Sequence, residues 1–362
     1  MQRIEPTMSD DPARTTPEKA IHPILFTGKG SEYFGIWIVN LLLTILTLGI
    51  YSAWAKVRRM QYFYRNTQLA GSSFDYHGNP VAILKGRLIA VAMLAIYNAA
   101  GTANPFLGLA VGALLVCVLP YLLLKSLQFR LHNSSYRGLR FRFNGKLKES
   151  YQVFLLLPIA SLLTLYLLAP FCHQRIKRFQ HNNSALGQAS FAIDAPIRAY
   201  YWIYLKVLGI IIVGLGALAL IVVAAFGNPF MKLNGPLDPQ TFALVSALPV
   251  VAFFVLFFFI RPYLEARLQN LIWNHTRLGP HRFVSNVSAR KLFGIMATNL
   301  IGVILTLGLF RPFAVTRLLK YRLETVTLAT KGDLDSILSG QDQAVGAVGE
   351  ETAELFDIDI AL

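Results

Sequence analysis

The 362-residue chain is 54% hydrophobic and 15% charged, with a mean hydropathy of +0.49, whereas a soluble domain carries roughly 25% charged residues. A soluble core cannot bury so much apolar side chain, so the composition points to lipid as the solvent. The net charge of +15 comes from basic residues scattered over short loops, which reads as the basic bias of cytoplasmic membrane loops and not as a nucleic-acid surface.

In chain order, residues 1–24 are polar, contain Pro6, Pro12, Pro17 and Pro23, and hold no apolar run placed as a signal peptide requires. They are expected to be a disordered tail, with the first hydrophobic segment kept as an anchor. Apolar stretches follow at residues 34–54, 88–103, 107–124, 151–172, 202–226, 241–260 and 292–310. A helix needs about 20 residues to cross the hydrocarbon layer. The stretch at 88–103 is the weakest, being short and interrupted by Asn98. Cys117 and Cys172 fall inside apolar runs, where a thiol packs as a small hydrophobe and no disulfide framework is expected. Residues 332–362 are acidic, with no basic residue after Lys331, and form an expected disordered tail on the cytoplasmic side.

Three segments share one pattern: Thr47-Leu48-Gly49 to Trp54 and Arg58, Thr164-Leu165-Tyr166 to Phe171 and Arg175, and Thr306-Leu307-Gly308 to Phe313 and Arg317. The first two register without a gap from Phe26 paired with Phe143 to Phe74 paired with Phe191, and the first and third share Asn40 with Asn299. Between them lie two matching apolar hairpins, turning at Asn104-Pro105-Phe106 and Asn228-Pro229-Phe230. The expected organisation is a first membrane repeat over 25–135, a second over 136–277 and a partial third over 278–331. The fold class this implies is an all-α polytopic membrane protein: two helical hairpins plus three repeated motif helices that are re-entrant or spanning, 4 to 7 transmembrane segments in all. If all seven segments cross, many basic residues fall outside; if only the hairpins cross, nearly all stay cytoplasmic. Alternating residues at 74–80 and 140–145 suggest that small β elements flank the motif helices.

These residues carry a family resemblance. Phe26-Thr27-Gly28 with Gly30, Asn40, the run Leu46-Thr47-Leu48-Gly49-Ile50-Tyr51-Ser52-Ala53-Trp54-Ala55-Lys56-Val57-Arg58-Arg59, and Phe74-Asp75-Tyr76-His77-Gly78 leading to Lys85-Gly86 resemble the YjgN-like bacterial inner-membrane proteins. The resemblance covers about residues 26–328. The middle copy departs from the pattern, with Tyr166 at the glycine position and Cys172-His173 where Ala55-Lys56 stands. What it implies is a bacterial inner-membrane location, with no particular activity.

Two groups of residues stand out as a site. Arg58, Arg175 and Arg317 each lie one turn past a membrane-edge aromatic; they are snorkelling anchors or, on the functional reading, guanidinium contacts to lipid phosphate or another anion. Asn40, Thr47, Thr164, Asn299 and Thr306 are polar at membrane depth and either pack within helices or line a solute path. Gly49 and Gly308 interrupt the apolar runs. Glu32 and Glu149 read as carboxylates serving helix N-termini. The histidines lack partners at metal-ligand spacing, and no catalytic constellation is present, so the expectation is a non-enzyme without metal or cofactor. Its expected partners are anionic lipid headgroups at the cytoplasmic face, with self-association left open and no nucleic acid. The function expected is binding or passage of a small solute or lipid; the alternative is a non-transporting scaffold or regulatory protein.

Overall fold

The architecture is built from one move made five times: a short strand, two antiparallel helices, and a return to the next strand. A computed structural model describes residues 20–226 and 239–331. Of the N-terminal tail expected over residues 1–24, the first 19 lie outside the described residues, as do the acidic tail at 332–362 and the turn at Asn228-Pro229-Phe230, whereas residues 21–24 are not tail but strand, held by pairing on both sides. β1 (Ile21–Phe26) leads to α1 (Gly30–Leu46) and α2 (Ser52–Arg65), then β2 (Thr67–Leu69) and β3 (Ser72–Tyr76). The second hairpin is α3 (Pro80–Ala103) and α4 (Pro105–His132), followed by β4 (Ser134–Tyr136) and β5 (Leu139–Phe143). The third comprises α5 (Leu147–Tyr151), a π-helical turn (Gln152–Leu156), α6 (Leu157–Leu163) and α7 (Ala169–Asn182), before β6 (Ser184–Leu186) and β7 (Ala189–Ile193). The fourth is α8 (Ile197–Phe226) and α9 (Pro239–Asn274), then β8 (Thr276–Leu278) and β9 (His281–Ser285); the fifth is α10 (Ala289–Leu305) and α11 (Arg311–Glu324), ending in β10 (Val326–Ala329).

The strands form a closed, wholly antiparallel barrel in which each pairs with its chain neighbours and β10 pairs back to β1, Ile21 opposite Ala329. This overturns the all-helical fold class. The strands are three to six residues long, so period-two alternation is barely expressed in any one of them, and only the assembled ring buries their apolar faces. Closure also excludes seven single crossings. Residues 151–172 cannot cross alone, because β5 before them and β6 after them pair in one sheet. The barrel draws its strands from 25–135, 136–277 and 278–331 alike.

Because the order is a meander, every helical hairpin leaves the same rim. The opposite rim carries two-residue turns with left-handed backbone: Ala70-Gly71, Arg137-Gly138, and the turns containing Gly187 and Gly279. Both ends of the sheet meet there, where the Thr330 N–H donates to the carbonyl of Ala20 at 2.9 Å. Inside the barrel, Phe74, Phe141, Phe191 and Phe283 stack around the axis with centroids 6.3–6.4 Å apart. With Ile24, Leu69, Leu186, Leu278 and Leu328 they enclose an apolar cavity of about 160 Å³.

The junctions explain the recurring polar residues. Asn66, Asn133 and Asn183 donate from Nδ2 to the carbonyl four residues back in the helix they end; His275 Nδ1 and Thr325 Oγ1 contact the corresponding carbonyls. Each satisfies an orphan helix-end acceptor. At the strand exits, Phe26, Tyr76 and Phe143 fold over Gly28, Gly78 and Gly145, where a Cβ would overlap the ring. Units four and five have Ile193 and Ser285 instead and dispense with the glycine, using Ala195 and Val287.

The hairpins alternate short, long, short, long, short. The helices long and apolar enough to cross a membrane, among the described residues, are residues 80–103, 105–132 and 197–220; α9, packed against α8, is 36 residues long. The short hairpins end on the shared Thr-Leu turn. Gly49 N–H donates to Thr44 O and Leu48 N–H to Ile45 O, and residues 164–166 and 306–308 repeat this pattern, a Schellman closure with leucine in the left-handed position. Leu48, Leu165 and Leu307 have φ of 49°, 50° and 49° and are 95%, 87% and 96% exposed. A β-carbon at such φ costs about 1 kcal/mol, and a water-exposed leucine gives nothing back. In the third hairpin, Pro158 supplies no N–H to the turn before it, and that turn is the π-helical one.

Candidate functional site: a basic chamber between the first and fifth hairpins

Ring closure makes hairpins one and five neighbours, α1 lying against α11, so the two meet without a long hairpin between them. A cavity of about 560 Å³ opens at this seam. Tyr33, Trp37, Asn40 and Thr44 of α1 form one wall; Ser52, Lys56, Arg59 and Met60 of α2, Arg87 of α3 and Arg311 of α11 form the rest. At a rise of 1.5 Å per residue, Arg87, Lys56 and Arg311 stand roughly 10, 14 and 20 Å from the barrel ends of their helices.

Four cations thus face one space, and none of its lining residues is acidic. Among the described residues none of the four has a carboxylate within ion-pair distance. Arg87 donates to Ser52 Oγ, and Arg59 lies 5.8 Å over the Phe63 ring. Like charges gathered without a counter-charge are costly, and an anion relieves the cost.

Asn40 and Asn299 are equivalent but behave differently. Asn299 Nδ2 donates to Ala314 O at 3.0 Å, and its Oδ1 accepts from Arg317 Nη1 at 3.1 Å. Arg58, the counterpart of Arg317, turns to the Tyr51 hydroxyl at 3.1 Å instead. Asn40, only 7% exposed, is among the chamber's lining residues, and its Oδ1 is buried without a hydrogen-bond partner among the described residues.

The other expected site residues divide. Thr47, Thr164 and Thr306 donate to the carbonyls of Leu43, Ala160 and Gly302 and accept from the N–H groups of Tyr51, Leu168 and Phe310; they tie the two helices of each short hairpin together. Gly49 and Gly308, at φ of 95° and 96°, supply the turn's second left-handed residue, a place Tyr166 takes at 63°. Arg58, Arg175 and Arg317 sit on three separate hairpins; Arg175 lies 5.0 Å over Phe171 beside Arg178, in another cavity of about 610 Å³. Glu32 and Glu149 occupy first turns, accepting at 3.3 Å from the Tyr62 hydroxyl and at 3.4 Å from Asn183 Nδ2. Asn299 lines a different groove of about 610 Å³ between α9 and the fifth hairpin, walled by Phe254, Phe257, Phe258, Met296, Leu300 and Val303, with Arg261 and Arg311 among its lining residues. Lys56, Arg59, Arg87 and Arg311 were not singled out from the sequence. Arg87, two residues past Lys85 on a largely apolar helix, and Arg311, directly after an apolar tip, were the signals that could have found them.

Residues 21–355 match the family described as "Bacterial protein of unknown function (DUF898)". The chain belongs to that family. It is also similar to the inner membrane protein YjgN of Salmonella typhimurium strain LT2, with 32% identity over 147 residues, 40% of this chain and 37% of the relative. The inner membrane proteins YjgN of Escherichia coli O157:H7 and strain K12 are each 34% identical over 139 residues, covering 38% of this chain and 35% of theirs. The matched part therefore spans little more than a third of these curated relatives. No solved structure matches the chain. Family membership, the inner-membrane relatives and the three long apolar helices together make this a membrane-associated protein.

Proposed function

We propose that this is a multi-pass inner-membrane protein that binds an anionic group, borne by a lipid or a small solute, in the chamber between its first and fifth hairpins. The observation that carries this reading is the convergence of Lys56, Arg59, Arg87 and Arg311 on one cavity with no acidic residue in its lining. The long hairpins cross the bilayer. The short ones enter to part depth: α1, at 17 residues, rises about 25 Å against a hydrocarbon layer of roughly 30 Å. Exposed Leu48, Leu165 and Leu307 rest in the hydrocarbon. The barrel and both tails lie in the cytoplasm, because the tips at residues 47–51, 102–106, 164–168 and 306–310 carry no charge while the helix roots and strands carry many Lys and Arg. The recurring strand–hairpin unit is read as an internal repeat whose Thr-Leu members form one class. No reacting group is invoked; the role is binding or passage.

The test uses the full chain in a neutral detergent, with glycerol 3-phosphate and a phosphatidic acid as probes. Wild type should bind at least one, and the Lys56→Gln/Arg59→Gln/Arg311→Gln variant should lose at least tenfold, each charge-assisted contact being worth about 1.5–3 kcal/mol. Equal binding by the two proteins, or binding of neither probe, would remove the proposal. Scaffolding through the basic face is the alternative, and it predicts no dependence on these residues.

A further inference from the structure

The basic chamber and the apolar groove are not independent. Both are lined by Arg311 and Val315 of α11, so one helix forms a wall of each. One side offers four cations; the other offers phenylalanines of α9 facing Met296, Leu300 and Val303 of α10. We infer that the ligand is a phosphate-bearing lipid, held with its headgroup in the chamber and one acyl chain in the groove, passing beside Arg311. This rests on the reading of the chamber given above and narrows it from any anion to an amphiphile.

Three features support the lipid over a free anion. Leu300 and Phe254, both in the groove's lining, are exposed on the surface that this reading turns to the bilayer, so a chain enters sideways without leaving hydrocarbon. Its volume of about 610 Å³ lies in the range of roughly 300–1,000 Å³ that ordinary ligand sites occupy. The fifth hairpin, being short, leaves the bilayer above its tip filled by lipid.

The experiment uses the full chain in phosphatidylcholine nanodiscs doped with a phosphatidic acid that carries a photoactivatable diazirine at mid-chain. After illumination, peptides bearing the label are identified by mass spectrometry. Labelling should concentrate on residues 254–258 and 296–303 and fall at least fivefold in Lys56→Gln/Arg59→Gln. A groove-filling Leu300→Trp should lower labelling equally while leaving binding of glycerol 3-phosphate unchanged; Val303→Trp serves if the first variant fails to fold, and Leu109→Trp on the exposed face of α4 is the control for bulk. Label spread evenly over the lipid-facing helices, or unmoved by the basic substitutions, overturns the lipid assignment. If glycerol 3-phosphate still binds in a charge-dependent way, the anion chamber survives and only the amphiphile falls. If neither probe binds, both fall together.

Discussion

The long and short hairpins start from the same roots and end on opposite terms. At the tip of the second hairpin, Asn104 ends α3 and begins α4, and its Oδ1 accepts from Phe106 N–H at 2.8 Å, so the turn is satisfied and unstrained. At the short tips the chain instead forces leucine into left-handed backbone three times and exposes it almost fully. Length alone does not require that conformation. On the proposed topology the long hairpins are plain crossing elements, whereas the short ones present a leucine to a medium that welcomes it. The seam where two short hairpins touch is also where cations gather.

Substitutions at the roots and at the tips separate the two kinds of hairpin. The shared root should respond most strongly. Leu328→Ala, in the fully buried barrel core, should cost about 2–5 kcal/mol and lower the melting temperature of long and short hairpins together; if helical melting stays put, the barrel does not hold the hairpins. Next come the tips. Leu48→Asp, Leu165→Asp or Leu307→Asp should each oppose insertion of its own hairpin by roughly 2.5–3.5 kcal/mol if the tip sits in hydrocarbon, seen as lost protection of a cysteine placed beside the tip from a water-soluble reagent, while Ser73→Asp on the barrel should have none of this effect. Equal protection of the tip cysteines in all four would refute part-depth insertion.

Acid should act at the root of the third hairpin. Burial, helped by the charge of Lys177, holds His181 at about 4, below its ordinary 6.5; it packs edge-on against Trp273, with Nδ1 3.4 Å from Thr276 Oγ1. Between these values the unfolded chain binds a proton that the folded chain does not. Stability is therefore complete above about pH 6.5 and declines as pH falls toward 4. His181→Gln should flatten that part of the stability profile, and an unchanged slope would assign it elsewhere, first to His281, whose pKa is also lowered by burial and by nearby His22. The relief of strain is the mildest change: Leu307→Gly should raise the stability, read from thermal melting, by at most about 1 kcal/mol, whereas the same change at Leu109 in a regular helix should lower it by about that much.

The helices were legible in the sequence because an apolar run of membrane length finds a stable place only in lipid, where the backbone must close its own hydrogen bonds. The turn at Asn104-Pro105 was legible from its residue pair. The barrel was not. Strands such as Thr67–Leu69 are too short to show a pattern, and β7 finds β8 only after the whole fourth hairpin has intervened. At the site, Asn40 was recognised as polar at depth and does face the chamber. The motif threonines drew notice for the same polarity, yet their hydroxyls are spent on local turns. The arginine trio followed the repeat, but Arg58 and Arg317 each bond within their own hairpin and Arg175 lines a separate cavity on the third. The cations that do converge occupy unlike positions in different units, Lys56 and Arg59 in α2, Arg87 in α3 and Arg311 at the head of α11, which no search for self-similarity would align.

The pairing of Ile21 with Ala329 sets an order on biosynthesis. The strand that opens the barrel leaves the ribosome with its eventual partner some three hundred codons away, so all five hairpins are made while the sheet is still open. Release of β10 then fastens the ring, and a chain cut short before Val326 would be left a half-made cylinder with two sticky edges.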